Sequence, residues 1–161
     1  MTRVPVVRVK LVRDGSIPAP SRHVTRPAEA AALFVRMLAD SDREQVVALY
    51  VDTRGRAIAV HTISLGSLNR CVVHPRELFK AAILANAHHV ILAHVHPSGD
   101  PTPSQDDRFL TARVGRAGRL LGIPLVDHLI IAGDAYLSLR EQGQYSPLDD
   151  LPDDLTSGDA R

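Results

Sequence analysis

The 161-residue chain has a single cysteine, Cys71, and no tryptophan. One cysteine excludes a disulfide framework and a thiolate metal cluster. It also excludes the Cys-x-x-Cys pair that zinc nucleobase deaminases require. Cys71 has no activating partner in the sequence and is not read as a nucleophile. No apolar run approaches the roughly 20 residues of a membrane span. The opening MTRVPVVRVK has no apolar segment followed by a small-residue cleavage site, so a reduced, cytoplasmic setting is expected. HExxH is absent, and HxHxDH fails because Pro97, Ser98 and Gly99 follow His96. The HxH of amidohydrolase barrels belongs to chains of about 200 residues or more.

What remains is ordinary globular composition, 45% apolar and 23% charged, long enough for one domain with its own core. Its net charge of +1 is unevenly spread: residues 1–36 carry seven basic and two acidic side chains, whereas residues 146–161 carry five aspartates against Arg161. A basic segment can touch nucleic acid. Here only Lys10 and Lys80 are lysines and no aromatics interleave, so an Arg-rich composition is the plainer reading. The acidic tail from Ser146 is expected to be disordered.

Period-two alternation in VPVVRVKLVR predicts a strand over 4–13. A helix opens at Pro27, strands cover 44–51 and 57–65 around the turn 52–55, and a second helix opens at Pro75 after His74. HVILAHVH at 89–96 is almost continuously apolar, as in a central strand covered on both faces. A turn-rich loop at 97–103 leads into a helix from Ser104 to about Leu121, with Leu110, Val114, Ala117 and Leu121 at helical spacing, and two short strands follow. This order predicts an α/β layered domain around a mixed sheet. Residues 1–26 are read as an N-terminal strand and basic linker, 27–145 as the domain and 146–161 as the tail.

The chemistry concentrates in His94-Val95-His96, seven residues, Ser104, two residues, Asp107. On a strand His94 and His96 share a face, so both imidazoles reach one ion. Two imidazoles and a carboxylate from the next helix leave a fourth position for water, which is a catalytic zinc pattern. Asp106 and Asp107 both border the helix's apolar stripe, and the helical wheel does not choose between them. Ser104 and Asp107 also fit a helix N-cap. The two roles are compatible. Glu44, at a strand start, is the candidate base if its strand lies beside the histidine strand, which spacing alone does not set.

The pattern His94-x-His96-x7-Ser104-x2-Asp107, with Glu44 upstream, resembles the JAMM motif of JAB/MPN metalloproteases. HPREL at 74–78, ILAHVHPSGDPTPS at 91–104 and DHLI at 127–130 are similar to its RadC-like branch. That resemblance implies a three-layer α/β/α sandwich of the cytidine-deaminase-like type. It implies Zn²⁺ held by His94, His96 and Asp107, Glu44 as general acid/base, Ser104 as oxyanion or water-orienting group, and cleavage of a peptide or isopeptide bond. The branch usually has Asn where Val95 stands; alternation turns Val95 away from the metal. Longer members carry an N-terminal helix-hairpin-helix region that the forty or so residues before Glu44 do not accommodate, so its DNA binding is not carried over. Two other readings compete. One is an accessory module binding nucleic acid or a protein partner, with a structural zinc. The other is a metal-free interaction domain, which filling all four motif positions disfavours.

Other residues receive local roles. His88 and His89 form a junction pair. His74 marks a helix entry, Arg76 and Glu77 pair locally, and Asp100 makes an Asx turn. Adjacent Asp127 and His128 face opposite sides of a strand and form no dyad, so a structural role is expected.

Overall fold

The structure, a computed structural model, describes residues 2–38, 41–65 and 73–147; Cys71 and the acidic tail from residue 148 lie outside the described residues. The elements are α1 (Pro27–Leu38), β1 (Gln45–Val51), β2 (Ala57–Leu65), α2 (Pro75–Leu84), β3 (His89–Val95), α3 (Gln105–Leu121), β4 (Leu125–Ala132) and β5 (Ala135–Ser138). The five strands form one sheet in the order β2-β1-β3-β4-β5. Only the β3–β4 pairing is parallel, because a helix, α3, connects those two strands and the others are joined or paired in opposite directions.

Side-chain alternation sorts the sheet into two faces. Val47, Leu49, Ile91, Ala93 and Val95 pack under α1, through its Ala30, Leu33, Phe34 and Leu38. Val46, Ala48, Tyr50, Val90 and Leu92 pack under α2 and α3. The result is an α/β/α sandwich with a mixed sheet, the architecture the motif resemblance implies. As the middle strand, β3 is buried from Val90 to Val95. Val95 joins the α1 side, opposite the face that carries His94.

Two expectations need correction. Residues 4–13 form no strand: Val4, Val6, Val7 and Val12 are 86%, 100%, 79% and 81% exposed. Alternation makes a segment compatible with a strand, but it supplies no partner ladder, and only His23 bridges to Arg56 at the β1–β2 turn. On α3 the expected inward residues hold for Val114, which is buried, and for Leu110 and Ala117, which are partly buried against the α2 side, but not for Leu121. The buried residues of the helix are Asp107, Thr111, Val114, Gly115 and Gly118, while Leu121 is 49% exposed. Gly118 lets the helix approach closely. A Cβ there would stand 2.6 Å from the Ile123 carbonyl oxygen and 3.1 Å from Phe79 Cζ, so the helix backbone sits too close to its neighbours for a larger residue. Gly122 then ends α3 in the left-handed conformation, φ 67°, which glycine adopts without a steric penalty.

Candidate metal centre

The end of β3 meets the start of α3. Ser104 is the N-cap of that helix and Asp107 its third residue, joined in a reciprocal capping box. The Ser104 backbone N–H and its Oγ–H both donate to Asp107 Oδ2 at 2.7 Å, and Asp107 N–H donates to Ser104 Oγ at 3.1 Å. Two donors of Ser104 therefore fix the carboxylate before any metal is considered. Asp107 is 1% exposed and Asp106 is exposed, so Asp107 is the one of the two acids that faces the histidines.

Both motif histidines reach this carboxylate. His94 Nδ1 contacts Asp107 Oδ1, and His96 Nε2 lies 3.4 Å from Oδ2. The two rings stand edge to face, 4.8 Å between centroids. His96 Nδ1–H donates to the Asp100 carbonyl at 2.9 Å, which turns Nε2 toward Asp107. Asp100 makes the expected Asx turn, accepting from Thr102 N–H at 2.9 Å; its carbonyl role was not visible in the sequence. The Asp107 carboxylate raises the His96 pKa above its ordinary value, against the effect of burial. Burial pushes Asp107 upward, but hydrogen bonds from His94, His96 and Ser104 outweigh it and hold the carboxyl well below the usual range.

Register places Glu44. β1 runs antiparallel to β3, with Gln45 opposite Val95 and Val46 opposite His94. Glu44, two residues before Val46, therefore falls on the face of His94. Its Oε2 is 3.9 Å from His94 Nε2, outside hydrogen-bond reach and within reach of a shared ligand.

A family model described as the RadC-like JAB domain matches residues 24–144. The chain belongs to this family. The RadC-like JAB domain also has close relatives among curated proteins. It is similar to a "UPF0758 protein" of Desulforamulus reducens, 46% identical over 132 residues, covering 81% of this chain and 58% of the relative. A "UPF0758 protein" of Methanosarcina acetivorans is 40% identical over 124 residues, covering 77% and 54%. One from Geobacillus thermodenitrificans is 45% identical over 123 residues, covering 76% and 54%. The chain thus spans a little over half the length of these relatives, and their shared name states no activity. No helix among the described residues is long and apolar enough to cross a membrane.

The donor set fits a cation. Among the described residues, His94, Asp107 and His128 offer ligand atoms that all lie within 4.8 Å of one another. Two buried side-chain nitrogens there lack a hydrogen-bond partner, His94 Nε2 and His128 Nε2. Buried polar atoms are seldom left so. Imidazole and carboxylate donors together suit zinc and its neighbours in the first transition row.

His128, for which the sequence predicts only a structural role, joins this donor group. β4 pairs in parallel with β3, setting His128 beside Leu92 and on the His94 face. The His94 and His128 rings are nearly parallel, 6.4 Å apart. Asp127 has the structural role expected, accepting from Ser138 Oγ–H at 2.6 Å and from the His128 and Arg140 backbone N–H groups at 2.7 and 3.1 Å. The remaining histidines lie elsewhere. His74 caps α2 by accepting from Arg76 N–H at 3.2 Å, and His88 and His89 contact each other at the far end of β3. Glu77 pairs with Lys80 at 2.6 Å and Arg76 at 3.5 Å.

Proposed function

We propose that this chain is a zinc-dependent metallohydrolase that cleaves a peptide or isopeptide bond, with His94, His96 and Asp107 holding the ion. The observation that carries the reading is Glu44: a carboxylate 3.9 Å from an otherwise unpartnered His94 nitrogen borders the donor set without completing it. When bound, Zn²⁺ acts as a Lewis acid and brings the pKa of a water molecule to roughly 7.

The chain's own residues supply the proton traffic and the orientation. Glu44 accepts the proton of the attacking water and returns it to the leaving nitrogen, so one carboxylate serves as base and then acid. Asp107 cannot take that part, because its two oxygens are already engaged by His94, His96 and Ser104. Asp100, through its carbonyl, fixes the His96 ring. Ser104 provides a hydroxyl for the oxyanion. Its proton points at Asp107 Oδ2 in the resting arrangement, so this role takes a side-chain rotation, during which the Ser104 backbone N–H keeps hold of the carboxylate.

The test pairs zinc content with turnover of a peptide library that carries both backbone and lysine Nε amide bonds. Glu44→Gln is expected to keep zinc and lose turnover; His94→Ala is expected to lose zinc. Full activity in both variants overturns the reading. A nucleic-acid-binding role rests on the exposed basic residues before α1. A DNA-binding assay titrated with salt separates it, since phosphate contacts give a steep log–log slope.

A further inference from the structure

His128 has an unexplained lone pair. Thr111 Oγ1 donates its single hydrogen to the Asp107 carbonyl at 2.6 Å. At 2.7 Å from His128 Nδ1 the same oxygen can only accept, so Nδ1 carries the imidazole hydrogen and Nε2 the lone pair. Nε2 is buried with no partner. A neutral imidazole with one nitrogen pinned by a hydrogen bond and the other bare is the form in which histidine binds metals. A purely structural histidine would have used both nitrogens or left one in water.

We propose that His128 is a fourth protein donor for the ion of the His94–Asp107 pair, forming with them an inner seat that alternates with the one His96 completes at the surface. The proposal rests on the reading that this site holds a metal. The Asp107 carboxylate divides the two seats, with Oδ1 toward His94 and Oδ2 toward His96 and Ser104. Three atoms no more than 4.8 Å apart leave a central ion at most about 2.8 Å from each, so closing to the roughly 2.0–2.2 Å of zinc needs side-chain movements of under about 1 Å. His128 and Asp107 are 0% and 1% exposed. An ion between them is shielded from water, so the inner seat retains the metal without presenting it to a substrate.

The experiment measures Zn²⁺ affinity by chelator competition, and the absorption spectrum of the Co²⁺-substituted full chain. His96→Ala is expected to keep one ion per chain. Adding His128→Gln to it is expected to weaken binding by at least about 100-fold and to change the Co²⁺ spectrum, as removal of a direct ligand exceeds the 10–100-fold effect of an outer partner. Because His128 is fully buried, Thr111→Val provides a second route that keeps the ring and the local shape. In the His96→Ala background it frees the tautomer and is expected to weaken binding about 10-fold. Equal affinity with and without these changes overturns the proposal. If the unaltered chain binds no ion, the metallohydrolase reading falls with it. If His94→Ala and Asp107→Ala abolish binding while His128 and Thr111 changes have no effect, only the inner seat falls.

Discussion

Helices α1 and α3 begin with the same device and end up with different uses for it. In each, the third helical residue is an acid that reaches back to the N–H of the residue before the helix: Glu29 Oε2 accepts from Arg26 at 3.1 Å, and Asp107 Oδ2 from Ser104 at 2.7 Å. In each the acid's pKa falls. Glu29 drops to about 2 through the Thr25 backbone N–H first and then the Arg26 guanidinium. Its side chain is 30% exposed and every bond it makes stays within the helix entry. Asp107 is buried, and β3 brings two imidazoles onto its oxygens. A capping acid becomes a candidate ligand when a histidine-bearing strand docks on it, since the cap has already oriented the carboxylate and burial has removed competing water.

Asp107→Asn is the sharpest way to break this comparison. It is expected to lower Zn²⁺ affinity by more than the roughly 10–100-fold cost of losing an outer partner, while Glu29→Gln leaves affinity unchanged. Chelator competition reads both. Undiminished affinity in Asp107→Asn makes it a cap like Glu29 and nothing more. Glu44→Gln comes next, with turnover down by about 10²–10⁴ and metal content intact in the same protein. Gly118→Ala probes how α3 is held. The clash with the Ile123 carbonyl is expected to cost about 1–3 kcal/mol in chemical denaturation. Zinc affinity is expected to weaken with it, because the helix that moves carries Asp107.

Legibility followed sequence distance. His94, His96 and Asp107 lie within fourteen consecutive residues, so the strand period pairs the two histidines, while the motif resemblance, not the helix period, picks Asp107 over Asp106. Glu44 joins them through the β1–β3 register, with Gln45 opposite Val95, and His128 through the β3–β4 register, with Leu92 opposite His128. Neither register is written in a local pattern. For Glu44 the motif resemblance supplies the link; for His128 the DHLI match marks the segment but gives the ring no ligand role. On α3, periodicity picks Val114, which is buried, and Leu110 and Ala117, which pack against the core, but it overshoots to Leu121 and gives no sign of Asp107, Thr111, Gly115 and Gly118 on the same face. Close approach at Gly118 adds to the apolar stripe in setting the face. Val4 to Val12 failed in the opposite sense, because their pattern was right for a strand and no edge receives it.

The smallest expected effect isolates the cap from the metal. In metal-free protein, Glu29→Gln removes a carboxylate whose folded pKa, about 2, lies below its ordinary 4.5. A depressed acid stabilises the fold above its unfolded pKa and loses that contribution as pH falls through the folded one. The wild-type Tm is therefore expected to exceed that of Glu29→Gln slightly at neutral pH. The gap narrows below about pH 4.5, as the pH falls through the folded pKa of about 2, and closes only below it, once the folded carboxyl is protonated too. The bonds are solvent-exposed, so the gap is small and shrinks further in high salt. A gap independent of pH between 7 and 2 would mean that Glu29 acts through packing and not through its charge, and the parallel with Asp107 would then reach no further than geometry.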